Sequence, residues 1–402
     1  MLENKWMRAA VPALLIHISI GSVYCWSTFK TTIAEQIGMS SFSVGWAFSL
    51  AIFFLGMSAA FMGKLVEKNI HKSSLISCIC FTAGMIGTGL SIQFLNGIPA
   101  LIAIFVCYGC IMGVGLGIGY LTPVKTLMLW FKDKKGLATG ISIMGFGLAK
   151  AIATPVMEAI QSNLGISAMF YILGGTYFVM MFIGHVLLKK PEGWVEEENE
   201  HFSIKEMFKQ KEFLGIWLMF FLNIHCGLML ITYEKQILQT VFAGAAVLGI
   251  IVSVIPSVSS AFNAGGRIGY SSLSDKLKQR NSVYKIIFIS CMGVCALSLG
   301  TSGIIIIILL FIINAGYGGG FSTLPALLSE RFGMKKISKI HGLALSAWAI
   351  AGLTGNNMSE LILGAANDAM TGYRWIIVTI LVLYTVALLI CWFLVGKKKR
   401  AF

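Results

Sequence analysis

The chain has 402 residues, of which 57% are hydrophobic and only 12% charged, and its mean hydropathy is +0.82. So few charges, about half the ~25% of a soluble domain, cannot cover a water-facing surface, which excludes a soluble enzyme as well as disordered, collagen-like and disulfide-stapled chains. The formal net charge of +14 would suit a nucleic acid partner, but where the charges fall decides that question, not their sum.

Runs without Asp, Glu, Lys or Arg cover residues 9–29, 36–63, 73–124, 159–188, 213–233, 236–266, 286–329 and 375–396. A bilayer core about 30 Å thick takes ~20 apolar residues per helix, so 73–124 and 286–329 are each predicted to hold two helices. Gln93-Phe-Leu-Asn96-Gly97-Ile-Pro99 divides the first, and Gly300-Thr-Ser-Gly303 divides the second. Spans at 136–160 and 340–364, interrupted only by isolated charges, complete a prediction of twelve helices. Lys5 and Arg8 precede an apolar run much as in a signal peptide, but the run is too long and no small-residue cleavage site follows, so it is read as helix 1. All nine cysteines fall inside predicted spans. Cys107-x-x-Cys110, in an apolar helix without nearby His or carboxylate, reads as two small apolar residues rather than a redox or metal pair.

Threading twelve helices through a membrane sorts the basic residues. With both termini on one side, 25 of the 31 Lys and Arg fall on that side, three (Lys30, Lys235, Arg374) on the other, and three (Lys125, Lys150, Arg267) within spans. The positive-inside rule therefore predicts cytoplasmic termini in a multi-pass protein of the cell (inner or plasma) membrane. The basic charge is a topology signal, so the expected surroundings are a lipid bilayer and no nucleic acid.

The sequence repeats itself. Gly63-Lys-Leu-Val-Glu67-Lys68 answers Ser271-Ser-Leu-Ser-Asp275-Lys276 at an offset of 208, and Tyr120-Leu-Thr-Pro123 answers Ser322-Thr-Leu-Pro325 at 202. His17-Ile-Ser-Ile-Gly21 likewise answers Asn223-Ile-His-Cys-Gly227, and Gly136-Leu-Ala138 answers Gly342-Leu-Ala344, both at 206. The expected fold is all-α, with two six-helix units at 1–188 and 213–402. Residues 189–212, with Glu196-Glu-Glu198 and a capping box Ser203-Ile-Lys-Glu206 that starts a short helix, form the linker. Transporters with rocking bundles are built in this way, with their site between the halves at the membrane midplane.

Gly63-Lys-Leu-Val-Glu67-Lys68-Asn-Ile-His71-Lys72 resembles the G-x-x-x-D-R-x-G-R-R signature of the major facilitator superfamily, with Glu67 for Asp and Ile70 for the second Gly. The copy after helix 8 keeps Asp275, Lys276 and Arg280. Gly21-Ser-Val-Tyr24-Cys-Trp26-Ser, Trp130-Phe131-Lys132-Asp133, Asn263-Ala-Gly-Gly266-Arg267-Ile and Tyr317-Gly-Gly-Gly320-Phe are similar to the oxalate/formate antiporter branch, related to the monocarboxylate transporters. The resemblance implies the major facilitator fold and a secondary transporter of small organic anions.

Arg267 lies eight residues before Asp275, hence about 12 Å from the cytoplasmic end of helix 8, near the midplane. A guanidinium there is costly unless it faces the bundle interior, and its fork matches a carboxylate bidentately. The resemblance implies the same role, and Asn263, one turn earlier, would steady it. The oxalate carrier's second basic residue, a lysine in helix 11, has no counterpart between Lys339 and Arg374, where Trp348 stands instead, which favours a monocarboxylate such as formate, lactate or pyruvate over oxalate. Animal monocarboxylate carriers hold an Asp one turn before that arginine, and this sequence does not.

Lys150 reads either as a second anion contact or as a residue reaching the outer interface, and Lys125 as one snorkelling inward. Tyr24, Tyr120, Tyr317 and Trp348 are candidates for a cavity wall. His17, His225 and Glu360 could carry protons, with core hydrogen bonding the commoner use. The Glu67/Lys68 and Asp275/Lys276 clusters are expected to latch helix ends in one conformation. Gly113-Val-Gly115-Leu-Gly117-Ile-Gly119 lies in an apolar helix and is read as a close-packing surface rather than a nucleotide loop. No catalytic, metal or cofactor constellation stands out, so the expectation is a monomeric carrier without cofactor, exchanging anions by alternating access. Proton-coupled monocarboxylate symport and a non-transporting membrane sensor are the alternatives.

Overall fold

A computed structural model describes residues 4–193, 203–300 and 303–396. The first six long helices are α1 (Trp6–Ile37), α2 (Ser41–Lys68), α3 (Ile70–Phe94), α4 (Gly97–Trp130), α5 (Lys135–Leu164) and α6 (Ile166–Leu187). The other six are α7 (Lys211–Ile231), α8 (Leu248–Lys276), α9 (Asn281–Gly300), α10 (Ile304–Phe332), α11 (Ile337–Ala365) and α12 (Ala369–Val395). Eleven of them are long and apolar enough to cross a bilayer. The other, α11, is equally long but more polar, because its buried face carries Ser338, His341 and Ser359 against neighbouring helices. Two short helices, Ile204–Lys209 and Glu234–Val241, lie before and after α7. Glu196–Glu198, the Thr301–Ser302 part of the second expected break and the Lys397–Arg400 cluster lie outside the described residues.

Local chemistry sets the breaks. Ser203 Oγ accepts from the Glu206 amide at 3.3 Å, which starts the linker helix as the S-x-x-E pattern predicts. Asn69 caps α3 in the same way, through the Lys72 amide at 2.8 Å. Between α3 and α4 the chain turns through Gly97 at φ +62°, a conformation that side chains disfavour.

The sequence duplication reappears as packing. In the first half α1 packs on α5, α2 on α4 and α3 on α6; in the second, α7 packs on α11, α8 on α10 and α9 on α12. The halves meet along two equivalent seams, α2 on α11 and α8 on α5. Lipid gives little hydrophobic drive for association, so close backbone approach and hydrogen bonds must hold the bundle. The glycine run of α4 serves this. A Cβ on Gly113 would lie 2.8 Å from the Phe54 Cβ of α2, and one on Gly115 would lie 2.6 Å from the Phe81 amide of α3. Ser77 Oγ adds a bond to the Gly115 carbonyl at 2.6 Å.

At the linker end, each seam is closed by a carboxylate on a helix N-terminus of the opposite half. Glu67 Oε1 accepts from the Ser338 amide at 2.8 Å, at the start of α11. Asp275 accepts from the Gly136 and Leu137 amides, at the start of α5, at 3.0 and 2.8 Å. A carboxylate there complements the helix dipole and fills orphan amides. The basic partners differ from those expected. Lys68 and Lys276 are exposed, whereas Lys125 pairs with Glu67 at 2.9 Å and Arg280 with Asp275 at 2.6 Å. Lys125 does not snorkel; it is 2% exposed, because a buried carboxylate within reach costs less than stretching an ammonium to the interface.

Candidate functional site

A cavity lies between the halves on the side away from the linker, with about 860 Å³ of empty space that includes open solvent at its mouth. Its walls bring together Tyr24 and Lys30 from α1, Gly147 and Lys150 from α5, Asn263 from α8, and Asn314 and Tyr317 from α10. Tyr24 reaches inward because α1 tightens into a 3₁₀ turn over Ser22–Cys25. A second hollow shares Lys30, Lys150 and Glu234 with the first and continues outward to Glu158 and Lys235.

Arg267 lies beneath the cavity floor and is fully buried. Its Nε donates to Asn263 Oδ1 at 2.8 Å, and Nη1 donates to the Ile143 carbonyl of α5 at 3.3 Å. Asn314 extends this polar layer, donating through Nδ2 to Ser259 Oγ at 2.6 Å and lying 3.4 Å from Asn263 Nδ2. The guanidinium is flanked by the rings of Phe321 and Phe146, with centroids 5.3 and 5.6 Å away. Such contacts partly offset the loss of hydration. Gly147 makes room for it, since a Cβ there would lie 2.9 Å from Arg267 Nε.

Phe146 and Phe321 also hold Tyr120 and Trp348, whose rings lie 5.5 Å apart. This cluster contains three buried groups with no hydrogen-bond partner: Arg267 Nη2, the Tyr120 hydroxyl and Trp348 Nε1. All three can donate, and unpaired buried donors are costly; the Tyr120 hydroxyl can also accept, and the cluster carries one fixed positive charge. Above it, the Tyr24 and Tyr317 hydroxyls meet at 2.7 Å from opposite halves and separate Arg267 from the open cavity.

The structure thus brings Arg267, Asn263, Tyr24, Tyr120, Tyr317 and Trp348 into one region, though Tyr120 and Trp348 lie below the cavity wall in the aromatic cluster. Lys150 faces the cavity, one layer further out. His17 contacts the Ser142 and Tyr120 carbonyls, and His225 pairs with Thr354 at 2.9 Å. Sequence reasoning passed over four residues here. Phe146 and Phe321 carry no pattern that separates them from other core rings. Asn314 does give a signal, as the one amide in the apolar run of α10. Glu234 reads as a loop charge beside Lys235, yet it is 3% exposed and lines both hollows.

Twelve helices in paired sixes, two matching seams and a polar cavity between them define a membrane carrier. The profile of the Major Facilitator Superfamily matches residues 13–356, and the chain belongs to that superfamily. It is a membrane transporter, not an enzyme. It is 25% identical over 373 residues to the oxalate:formate antiporter of Oxalobacter formigenes, covering 90% of this chain and 86% of the relative. It is equally identical, over 362 residues, to the MFS-type transporter YhjX of Escherichia coli K12, covering 87% of this chain and 86% of that protein. Among solved structures it resembles the proton:xylose symporter XylE, with a TM-score of 0.70 at 15% identity over 97% of this chain and 96% of that one. A bacterial homologue of ferroportin gives 0.74 at 10% identity, over 97% and 98%. These likenesses extend to the fold.

Proposed function

We propose that the protein moves small organic monocarboxylates across the cell membrane by alternating access, in exchange mode. The observation that carries this reading is the buried Arg267 guanidinium, whose Nη2 has no hydrogen-bond partner and which shares one cluster with the unpartnered Tyr120 hydroxyl and Trp348 Nε1. A carboxylate is acceptor-only, matches the guanidinium fork, and would cancel the one fixed charge. A monoanion leaves the site neutral, whereas a dianion would leave a net negative charge in an apolar cluster. The named activity of the Oxalobacter relative, which covers a dicarboxylate as well as formate, and that of the apicoplast pyruvate carrier 1 of Toxoplasma gondii (20% identical) support the broader class of small carboxylates.

In the proposed cycle the halves 1–188 and 213–402 rock about the site, joined by 189–212. The anion parts the Tyr24–Tyr317 bridge and takes Arg267, and the two halves close over a neutral centre. Without substrate, an unpaired arginine disfavours occlusion, which favours exchange over leak. The termini and linker are assigned to the cytoplasm from the 25-to-three division of basic residues.

The test is uptake of labelled formate, lactate, pyruvate and oxalate into proteoliposomes, with and without internal counter-substrate and a pH gradient. Monocarboxylate uptake stimulated by internal anion supports the reading. Uptake driven by the pH gradient alone selects proton symport, and binding without flux selects a sensor. No binding or flux with any of the four anions overturns the substrate class.

A further inference from the structure

Glu234 is the part of the cavity that anion exchange through Arg267 does not use. It opens the short helix Glu234–Val241 just beyond α7, is 3% exposed, and its Oε1 has no hydrogen-bond partner. It shares both hollows with Lys150 of α5, which has no ion-pair partner within 4 Å among the described residues. The two are close enough for the lysine to act on the carboxylate electrostatically, and Ser259 of α8 reaches it as well. Placed together, these groups form a cation and an acid in the cavity that also holds the Tyr24–Tyr317 bridge.

We infer that Glu234 and Lys150 form a proton-gated capture site for carboxylate anions at the cavity mouth. With Glu234 ionised, its charge cancels Lys150 and repels the anion. A proton from the external water neutralises Glu234 and leaves the Lys150 ammonium free to hold the incoming carboxylate before it passes to Arg267. This deepens the anion reading and rests on it.

The remaining charges around Glu234 do not remove the effect. From α1 come Lys30 and Tyr24, from α5 Glu158 as well as Lys150, and from α10 Tyr317. On its own segment stand Lys235 and Tyr233, with Glu360 of α11 and Tyr373 of α12 beside Tyr233. Helix α8 faces it with uncharged Ser259 and Ser260. The outer hollow holds three lysines against two glutamates, so protonating Glu234 raises its net charge from +1 to +2. Burial pushes the Glu234 carboxyl up to about 7, against the opposing pull of Lys150 and Ser259. The group therefore changes charge within the ordinary pH range. The sign follows from linkage: anion binding favours the protonated form, so it takes up a proton, and affinity falls as pH rises through about 7.

The test is calorimetric binding of pyruvate, which stays ionised throughout, to the purified full chain between pH 5.5 and 8.5. Wild type is expected to bind about fivefold or more tightly at pH 6 than at pH 8, a coupling of ordinary allosteric size. Glu234→Gln should bind at the wild-type low-pH affinity across the range, and Lys150→Gln should bind weakly at every pH. Proton uptake on binding, read from the dependence on buffer ionisation enthalpy, should occur in wild type and vanish in both variants. A pH dependence that persists in Glu234→Gln, or one that survives loss of Lys150, overturns the capture site. An absence of pyruvate binding in wild type at every pH instead overturns the monocarboxylate reading, so the two failures are distinct. Glu234→Asp, which keeps the acid, should keep the pH dependence and serves as the check against a folding defect in Glu234→Gln.

Discussion

Replacing Asp275 by Asn tests whether the carboxylates at the linker end hold the two halves together. Asp275 accepts from Gly136 and Leu137 at 3.0 and 2.8 Å and from Arg280 at 2.6 Å. Asparagine keeps one carbonyl oxygen, so one amide loses its acceptor, and the attraction of a full charge for the α5 dipole and for Arg280 is lost. A hydrogen bond to a charged group contributes ~1.5–3 kcal/mol, and the half-shielded position tempers the electrostatic part, so the expected loss is roughly 2–3 kcal/mol. At 1.4 kcal/mol per tenfold, the balance should move about 30- to 150-fold away from the state closed at the linker end. Thr139 is a suitable reporter, because it is buried and its hydroxyl donates across the seam to the Ser322 carbonyl at 2.7 Å. Thr139→Cys should react with a membrane-impermeant thiol reagent many times faster from the linker side once Asp275→Asn is present. An unchanged rate, with the native cysteines as background, would refute the latch.

Arg267→Lys should weaken anion binding roughly tenfold to a hundredfold, since one of two charge-assisted bonds to the carboxylate is lost; Arg267→Ala should abolish transport while the protein still elutes as a folded species. Transport near the wild-type rate by well-folded Arg267→Ala would remove Arg267 from the site. Formate, lactate or pyruvate should compete better than oxalate, and oxalate binding tenfold tighter than all three would show that a second cation joins the site. Gly147→Ala should lower affinity about tenfold or more, because its Cβ would lie 2.9 Å from Arg267 Nε and 3.0 Å from Asn263 Oδ1 and break that bond. Cysteine at position 97 should label from outside intact cells, and cysteine at 199 only after permeabilisation; the reverse pattern would invert the topology.

The helices were legible because a bilayer imposes one length scale and tolerates few charges, so the uncharged runs mark their centres. Their ends are less exact, and the run 236–266 begins well before α8 at Leu248 because it takes in most of the short helix Glu234–Val241. α11 was harder, since a helix that faces its neighbours needs no apolar surface there. The pairing of Arg267 with Asn263 follows from helical spacing alone, as both lie on one face, one turn apart. What surrounds them does not follow. Phe146 and Phe321 meet the guanidinium from helices far apart in the chain, and nothing in either helix singles them out. Lys125 shows the same limit: its depth was readable, but its partner Glu67 lies 58 positions away on another helix. Glu234 was obscured because a charge beside Lys235 at a span end looks solvated, whereas the following short helix folds it back over the cavity.

Arg267 and Asp275 lie on one helix, eight residues apart, and both reach across to α5, where Arg267 Nη1 meets the Ile143 carbonyl and Asp275 meets the Gly136 and Leu137 amides. The proposed binding group and the linker-end closure are therefore two points on a single seam. Each Nη carries two N–H groups, so a carboxylate can take Nη1 together with the unpartnered Nη2 without breaking the 3.3 Å bond to the Ile143 carbonyl. The matching seam between α2 and α11 has no such element. At the repeat offset of 208, Arg267 corresponds to Ala59, and a Cβ added to Gly342 there would collide with the Ala59 backbone. Both seams combine close glycine contacts with a carboxylate at the linker end, and the α8–α5 seam adds the arginine. On the proposed reading a single neutralised arginine can act on both halves, because Arg267 of α8 already reaches α5 through the Ile143 carbonyl.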